Sequence, residues 1–449
     1  MTHNDRDFRW GVGTSAFQIE GAWDDDGKGE SIWDRFLHES GIAPNGDQTC
    51  DHYHRLESDL DQLVSLGVNS YRFSTSWARV IPQGTGTTNE RGLAFYDRLI
   101  DGLLERNIEP WLTLYHWDLP QALQDRGGWD NRRSVDWFVE YVSVMAERFG
   151  DRVSHWITVN EPWVSSFLGH HDGVFAPGLT EWNLAITAAH HQLLAHGAAV
   201  RTIREALPGA RIGIALDCRP AYPLSASQGD IDAATHFDGF RNRWFFDPIF
   251  GKGYPVDIKL SYETESRWPS DLVRDGDMKK IAEPLDFLGV NYYTSLGIDE
   301  NSAEADHSEA TPGSPAQIGF TEMGWKIDPT AFGTFLRRIH EEWGPTSIVV
   351  TENGASFSNG PGSDGSIHDG RRIAYLESHI SEIDRARASG VPIDGYFVWS
   401  FLDNLEWVSG FDQRFGLVHV DHDTQQRTVK DSGLWYRNLI EARQGTPAD

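Results

Sequence analysis

The chain has 449 residues and a mass of 50.6 kDa, which allows two or three domains or one large barrel. Hydrophobic residues make up 39% and charged residues 24%, so the chain can bury a large core and intrinsic disorder is excluded. The formal net charge of −28 makes nucleic acid and anionic membrane surfaces poor partners.

Two features of the sequence indicate the cellular compartment. Cys50 and Cys218 are the only cysteines, so neither a disulfide framework nor a zinc-binding cysteine pair is expected. The N-terminal segment MTHNDRDFRWGVGTSAF has no apolar signal core, and no run of about 18 apolar residues follows it. We therefore expect a cytoplasmic protein without a membrane partner.

Eight segments, taken in chain order, have the composition of β-strands. Most are nearly continuous apolar runs, which is the pattern of parallel strands covered on both faces. They are separated by helical segments, and this alternation is typical of an α/β fold. The eight are FRWGVGTSAFQ from Phe8, VNSYRFSTSW from Val68, EPWLTLYHW from Glu109, VSHWITVNEP from Val153, ARIGIALDC from Ala210, LDFLGVNYYTS from Leu285, TSIVVTENG from Thr346 and IDGYFVWSFLDN from Ile393.

The helical segments carry recognisable start and stop signals. Ser58 is predicted to cap the helix DLDQLVSLG, in which Leu60, Leu63 and Val64 share one face before Gly67 ends it. Asp328 and Pro329 are predicted to open the helix TAFGTFLRRIHEEWG.

Eight strand-helix units without a linker predict a closed (β/α)8 TIM barrel with elaborated strand-to-helix loops. An open doubly wound sheet is less consistent with the sequence, since no glycine-rich dinucleotide-binding motif is present. We expect residues 1–449 to form a single catalytic domain. The polar stretch from Asp299 to Gln317 is predicted to be a surface loop that could act as a lid.

Polar and aromatic side chains stand where the predicted strands end, which is where TIM barrels carry their working residues. Glu161 follows the fourth strand, and Pro162 after it favours an extended backbone at Glu161. Glu352 occupies the matching place on the seventh strand. The other strand-end residues are Gln18, Arg72, His116, Trp117, Asn160, Asn291, Tyr293, Trp399, Glu406 and Trp407.

Two carboxyl groups at one barrel mouth suit the cleavage of a glycosidic bond. One must protonate the leaving oxygen while the other attacks or stabilises the anomeric carbon, so the two need different pKa values. Arg72, Asn291 and Tyr293 could keep one glutamate ionised, and the negative charge would raise the pKa of the other. Two isolated acids would more often form structural salt bridges, but the surrounding sugar-suited side chains favour catalysis.

These motifs resemble glycoside hydrolase family 1, and within it the β-glucosidases, over nearly the whole chain. TVNEP resembles the acid/base signature of the family and VTENG its nucleophile signature, and they occur in the family order on the fourth and seventh strands. FQIEGA, YHWDLPQAL and DNLEW add to the resemblance.

The resemblance implies that Glu161 is the acid/base and Glu352 the nucleophile of a retaining double displacement. Retention implies carboxyl groups roughly 5 to 5.5 Å apart. Arg72 and Tyr293 are implied to hold Glu352 in place and ionised. The implied substrate-binding residues are Gln18, His116, Trp117, Asn160, Asn291, Tyr293, Trp399, Glu406, Trp407 and Phe415.

Some implied contacts are more specific. Asn160 would bind the 2-hydroxyl of the sugar, and Trp399 would form a stacking platform. Trp163 and Trp325 are expected on the aglycone side, although either could be a core residue. A cis peptide bond between Trp399 and Ser400 is also implied. Contacts to the remaining hydroxyls would come from Gln18, His116, Glu406 and Trp407.

The resemblance includes a branch of the family that acts on 6-phosphorylated sugars. A carboxylate at Glu406 would repel a phosphate, and that branch has a small hydroxyl residue there. It also has a lysine and a tyrosine where this chain has Gln413 and Phe415. We therefore expect no phospho-sugar specificity.

The histidine pairs, His52 with His54 and His190 with His191, lack a third ligand at a suitable spacing, so no metal site is expected. The implied reaction needs no cofactor, and the expected partner is a small β-glucoside or oligosaccharide. Galactosidase, fucosidase or transglycosylating activity, or a non-catalytic sugar-binding barrel, remain alternatives. We expect a monomer or a small homo-oligomer.

Overall fold

Eight parallel strands form a closed barrel, as the sequence predicts. The structure is a computed structural model that describes residues 7–42, 44–301 and 319–445. Each strand pairs with its neighbours along the chain, and the first strand also pairs with the last. The strands are β1 Arg9–Gly13, β2 Ser70–Ser74, β3 Glu109–Tyr115, β4 His155–Asn160, β5 Arg211–Cys218, β6 Phe287–Tyr292, β7 Ile348–Asn353 and β8 Ile393–Trp399.

Helices pack around the outside of the barrel and within its loops. The α-helices are Ala16–Ile19, Ile32–Ser40, His52–Ser65, Trp77–Val80, Glu90–Glu105, Gln121–Gln124, Ser134–Phe149, Trp182–Ala206, Gln228–Asp238, Trp244–Ile249, Val256–Thr264, Asp277–Ile281, Pro329–Trp343, Gly370–Ala388 and Asp431–Gln444. Short 3₁₀ or π turns occupy Asp25–Gly27, Gly128–Asp130, Val164–Leu168, Gly239–Arg243 and Trp407–Ser409.

One predicted helix start is confirmed. The carboxylate of Asp328 caps the helix Pro329–Trp343 by accepting a hydrogen bond from the Ala331 amide at 3.1 Å. Gly344, in left-handed geometry with φ of 61°, ends the helix.

The predicted cap at Ser58 is wrong. The helix begins at His52, so Ser58 lies inside it and its hydroxyl donates to the Arg55 carbonyl at 2.8 Å. Of the predicted apolar face, Leu60 and Leu63 are buried, whereas the Val64 side chain is half exposed. A serine in mid-helix can satisfy its hydroxyl on the preceding turn, so the residue type did not mark the helix start.

Large apolar side chains fill the barrel interior below the strand ends. Trp111 lies 5.1 Å from Phe287 and 5.2 Å from Phe397 between ring centroids. Ile157, Ala215 and Val349 complete this buried cluster. The cluster closes the barrel from below, so the cavity above it opens only through the strand-to-helix loops.

Among the residues that the structure describes, four short strands lie outside the barrel and pair in two small sheets. Ala221–Pro223 pairs with Leu296–Ile298, and Val418–Val420 pairs with Arg427–Val429. Residues 302–317 of the predicted surface loop lie outside the described residues. Within the described ranges, no helix is both long and apolar enough to cross a membrane.

Candidate active site

A single cavity at the carboxyl ends of the strands collects most of the predicted site residues. Both predicted carboxylates open into it. The side chains come from strand ends and loops around the whole barrel, so the barrel closure brings together residues that are far apart in sequence. The predicted residues that line it are His116, Trp117, Glu161, Tyr293, Trp325, Glu352, Trp399, Glu406, Trp407 and Phe415.

Glu352, near the end of β7, is held by two charged or polar donors. Arg72 of β2 forms an ion pair with Oε1 through Nη1. The hydroxyl of Tyr293, the residue after β6, donates to Oε2 at 2.6 Å. Burial raises the pKa of the Glu352 carboxyl, whereas Arg72 and Tyr293 act in the opposite direction by stabilising the ionised form.

Glu161 follows β4 and has a different environment. Its Oε1 accepts a single hydrogen bond from Asn291 Nδ2 at 2.7 Å, and its side chain is 5% exposed. Burial holds its pKa well above the usual range, and the negative charges of Glu352 and Asp217 raise the pKa further. Of the two glutamates, Glu161 is therefore the one whose surroundings favour the protonated form more strongly.

The backbone prediction for Glu161 is wrong. Its φ is 46°, in the left-handed region, instead of the extended geometry favoured before Pro162. The Glu161 amide donates to the Ala215 carbonyl of β5 at 2.9 Å, and the carboxyl group bonds Asn291 of β6. These tertiary bonds override the local preference.

Asn160 links the two carboxyl groups. Its Oδ1 accepts from Arg72 Nη2 at 2.6 Å and from Asn291 Nδ2 at 3.0 Å. Its Nδ2 lies 3.1 Å from His116 Nε2, and its carbonyl accepts from the Trp117 indole at 2.9 Å. Arg72, Asn160 and Asn291 thus lie immediately behind the cavity lining and fix the groups that face it.

His116 stands in an aromatic wall. Its ring stacks against Trp399 and Trp407 with centroid distances of 5.9 and 6.1 Å. Burial, reinforced by the Arg72 charge, holds the pKa of His116 well below its usual range, so the ring is neutral. The peptide bond between Trp399 and Ser400 is cis, as the family resemblance implied.

Gln18 lies in the short helix after β1 and is fully buried beside the cavity. Its amide nitrogen donates to Leu405 O at 2.8 Å and to Asn404 Oδ1 at 3.2 Å. Its Oε1 accepts one bond, from Ser15 Oγ at 2.6 Å. A carbonyl oxygen has two lone pairs, so Oε1 can accept one more hydrogen bond.

The two predicted aglycone-side tryptophans differ. Trp325 lines the cavity, but Trp163 does not, because the guanidinium of Arg241 covers its ring at 3.3 Å from the centroid. Arg241 in turn pairs with Asp217 of β5.

Sequence reasoning missed three cavity-lining residues on this side: Asp217, Arg219 and Arg241. Asp217 ends the apolar run of the fifth predicted strand, so the strand-end rule could have found it. No sequence signal marked Arg241, which lies in the turn Gly239–Arg243.

The histidine pairs have structural partners. His52 bonds Asp59 at 2.8 Å, and His190 contacts both Tyr254 and Asp277. Across the described parts of the chain, no group of three histidine, cysteine or acidic side chains is arranged to hold a metal ion.

Known proteins are similar to this chain in both sequence and architecture. The model of glycosyl hydrolase family 1 matches residues 2–445. β-Glucosidase A of Thermotoga maritima is 44% identical over 97% of both chains, and β-glucosidase A of Acetivibrio thermocellus is 44% identical over 97% of this chain and 98% of its own. The solved family 1 β-glucosidase of Thermotoga maritima superposes with a TM-score of 0.91, at 44% identity over 97% of both chains. The chain belongs to glycosyl hydrolase family 1 and is a glycoside hydrolase.

Proposed function

We propose that this enzyme is a retaining exo-β-glucosidase. It would remove terminal non-reducing β-D-glucosyl residues from cello-oligosaccharides and from aryl or alkyl β-glucosides, through a covalent glycosyl-enzyme. Two observations support the proposal: relatives at 44% identity are named β-glucosidases, and one cavity holds two glutamates in contrasting environments. The mechanism depends on the second observation, because the two glutamates must be in opposite protonation states.

Glu352 is proposed as the nucleophile. Its carboxylate attacks the anomeric carbon and forms the glycosyl ester, which water later hydrolyses. Arg72 and Tyr293 favour the ionised form that attack requires, and they fix the carboxylate through one bond to each oxygen.

Glu161 is proposed as the acid and then the base. Because its pKa is raised, the Glu161 carboxyl group can donate a proton to the departing glycosidic oxygen. Once Glu352 becomes an ester it loses its negative charge, and one of the causes that raise the pKa of Glu161 disappears. The same carboxyl group can then remove a proton from the attacking water.

The glycone contacts follow from the spare hydrogen-bonding capacity behind the cavity. Asn160 Nδ2 uses one N–H on His116 and has a second for the 2-hydroxyl. Gln18 Oε1 can accept from a hydroxyl further round the ring, and neutral His116, whose Nε2 accepts from Asn160, has its Nδ1–H left to donate. Trp399 supplies the stacking face, while Trp117, Asn291, Glu406, Trp407 and Phe415 complete the proposed glycone site.

A second activity is favoured by one relative. A protein of Bifidobacterium breve named bifunctional β-D-glucosidase/β-D-fucosidase is 40% identical over 96% of this chain. A β-D-fucoside lacks the 6-hydroxyl and has the opposite configuration at the 4-hydroxyl, so this activity requires that Gln18, His116 and Glu406 bind either epimer at that position. Kinetics on a panel of aryl β-glycosides and cellobiose would measure this activity together with β-galactosidase activity and transglycosylation.

The test uses a chromogenic aryl β-glucoside and proton NMR of the first product. The parent enzyme should release β-glucose before mutarotation, as double displacement requires. Glu352→Ala should lower kcat by several orders of magnitude. Glu377→Ala, which truncates an exposed glutamate in the helix after β7, is the matched control and should retain parent activity. Release of α-glucose, or a Glu352→Ala variant as active as the parent, would refute the mechanism.

We further propose that residues 1–449 form one catalytic unit that works in the cytoplasm as a monomer or small homo-oligomer, on cellulose-derived glucosides, without a cofactor. Both cysteines are buried free thiols, which suits a reducing compartment.

A further inference from the structure

Arg219 follows β5 and lines the catalytic cavity on the same side as Glu161. Its backbone is clamped by the buried side chain of Asn242, which accepts from the Arg219 amide at 3.1 Å and donates to its carbonyl at 3.0 Å. The guanidinium therefore extends from a fixed point in the cavity wall.

Two other cations of this region have acidic partners, whereas the described part of the chain supplies none for Arg219. Arg241 pairs with Asp217, and Lys326 pairs with Asp328 at 2.9 Å. Within residues 7–42, 44–301 and 319–445, no acidic group forms an ion pair with Arg219, and its Nε is buried without a hydrogen-bond partner. A partly buried guanidinium that no described acidic group neutralises can bind an anionic group through charge-assisted hydrogen bonds.

The ion pair beside it makes this wall rigid. Asp217 holds Arg241 from one side, and the Trp163 ring supports the guanidinium from the other, at 3.3 Å from the centroid. A ligand group that enters here meets the Asp217–Arg241 ion pair and the Arg219 guanidinium, whose side chain forms no hydrogen bond or ion pair with any other described residue.

We infer that Arg219 is a specificity determinant of the aglycone side, and that it directs the enzyme toward β-glucosides whose aglycone carries a carboxylate. The inference rests on the proposed function, because it assumes that Glu161 faces the aglycone of a bound glucoside. The anionic group binds the guanidinium in the ground state and in the transition state, so it raises kcat/KM mainly through KM.

The test compares the β-glucoside of 4-hydroxyphenylacetic acid with the β-glucoside of 4-hydroxyphenylacetamide. The two aglycones have nearly the same shape, and the methylene group insulates the phenolic oxygen from the charge. The measured quantity is the ratio of kcat/KM for the acid to kcat/KM for the amide.

Arg219→Gln should lower this ratio about tenfold to a hundredfold, the range expected for loss of a charge-assisted hydrogen bond. Arg219→Lys retains the charge and should keep most of the ratio. Arg98→Gln, which removes an exposed cation from the helix Glu90–Glu105, is the matched control and should leave the ratio unchanged. The parent's ratio should also fall as salt is added, because charge attraction is screened.

A ratio that is the same in the parent and in Arg219→Gln would overturn the inference, as would a parent ratio that does not respond to salt. The salt series needs only the parent enzyme, so the inference stays testable if Arg219→Gln does not fold. If the parent hydrolyses the amide but its ratio changes neither with added salt nor in Arg219→Gln, this inference alone is refuted. A parent that hydrolyses neither glucoside refutes the proposed function and the inference together.

Discussion

Replacing Tyr293 with phenylalanine removes one hydrogen bond from Glu352 and little else. The hydroxyl donates to Glu352 Oε2 at 2.6 Å, and burial holds the pKa of Tyr293 well above its usual range, so the group stays a donor. Phenylalanine keeps the ring that packs against Trp325 at a centroid distance of 5.3 Å. The substitution therefore tests the donor and preserves the cavity wall.

The expected magnitude follows from the charge on the acceptor. A hydrogen bond to an ionised group contributes about 1.5 to 3 kcal/mol. One pKa unit corresponds to about 1.4 kcal/mol, so losing the bond should raise the pKa of Glu352 by about 1 to 2 units. Arg72 remains on the other oxygen and keeps the carboxyl group ionisable.

The assay is kcat/KM for an aryl β-glucoside measured across the pH range. The acidic limb reports ionisation of the nucleophile in the free enzyme, so in Tyr293→Phe it should move upward by about 1 to 2 pH units. Tyr292→Phe is the matched control, since that neighbouring hydroxyl donates to the Asp328 carbonyl at 2.7 Å and touches neither glutamate. An acidic limb in the same place for Tyr293→Phe and the parent would refute the role assigned to Tyr293.

Three further predictions concern other groups. Glu161→Ala should slow β-glucosides with poor leaving groups far more than those with acidic leaving groups, because the latter need less protonation; equal losses on an aryl series would remove Glu161 from the acid role. Burial raises the pKa of Asp118 to about 8 in the folded chain, whereas the same group in the unfolded chain has a pKa near 3.8. As pH rises, the unfolded chain loses this proton first, so the free energy of unfolding falls steadily between these two pH values. Asp118→Asn should abolish this decline, so the Tm of the variant should rise relative to that of the parent by about 1.5 °C per pH unit between about pH 5 and 7. Scanning fluorimetry measures both Tm values, and parallel curves of Tm against pH would contradict the prediction. Lys430→Met breaks a fully buried ion pair with Asp403 at 2.6 Å and should lower Tm by about 3 to 5 °C, while Lys259→Met, at an exposed pair, should change it by less than about 1 °C; equal shifts in the two variants would count against the buried pair.

The barrel was predictable from the sequence because its signals are local. Each strand is a short apolar run, and the side chains at its end follow directly in the sequence. Glu352, Asn291 and Trp399 could therefore be assigned to strand ends without coordinates, and all three lie in their strands as expected.

At the active site, the departures from the sequence predictions came from contacts between distant segments. The left-handed backbone of Glu161 depends on bonds to Ala215 and Asn291, which no local preference reveals. Trp163 is withdrawn from the cavity because Arg241, from a turn after β5, covers its ring. In both cases the observed conformation or position depends on residues of other segments that pack nearby. It could not be predicted from the residue type at the position itself.

The same packing explains why the two glutamates differ although both follow apolar strands. Arg72 is fully buried and pairs in register with Trp111 of the buried cluster, so water cannot compensate its charge and a carboxylate must. It extends across the barrel mouth toward β7 past Gly13, where an added Cβ would lie 3.3 Å from the Trp399 ring and 3.8 Å from Arg72 Nη1. The Arg72 guanidinium reaches Glu352 and forms an ion pair with it through Nη1, and its Nη2 donates to Asn160 Oδ1. Glu161 accepts a hydrogen bond from Asn291, and Arg241, the cation that lowers its pKa, is itself paired with Asp217. The ion pair of Arg72 with Glu352 therefore favours the ionised form in Glu352 more than in Glu161, which is the difference that the reaction needs.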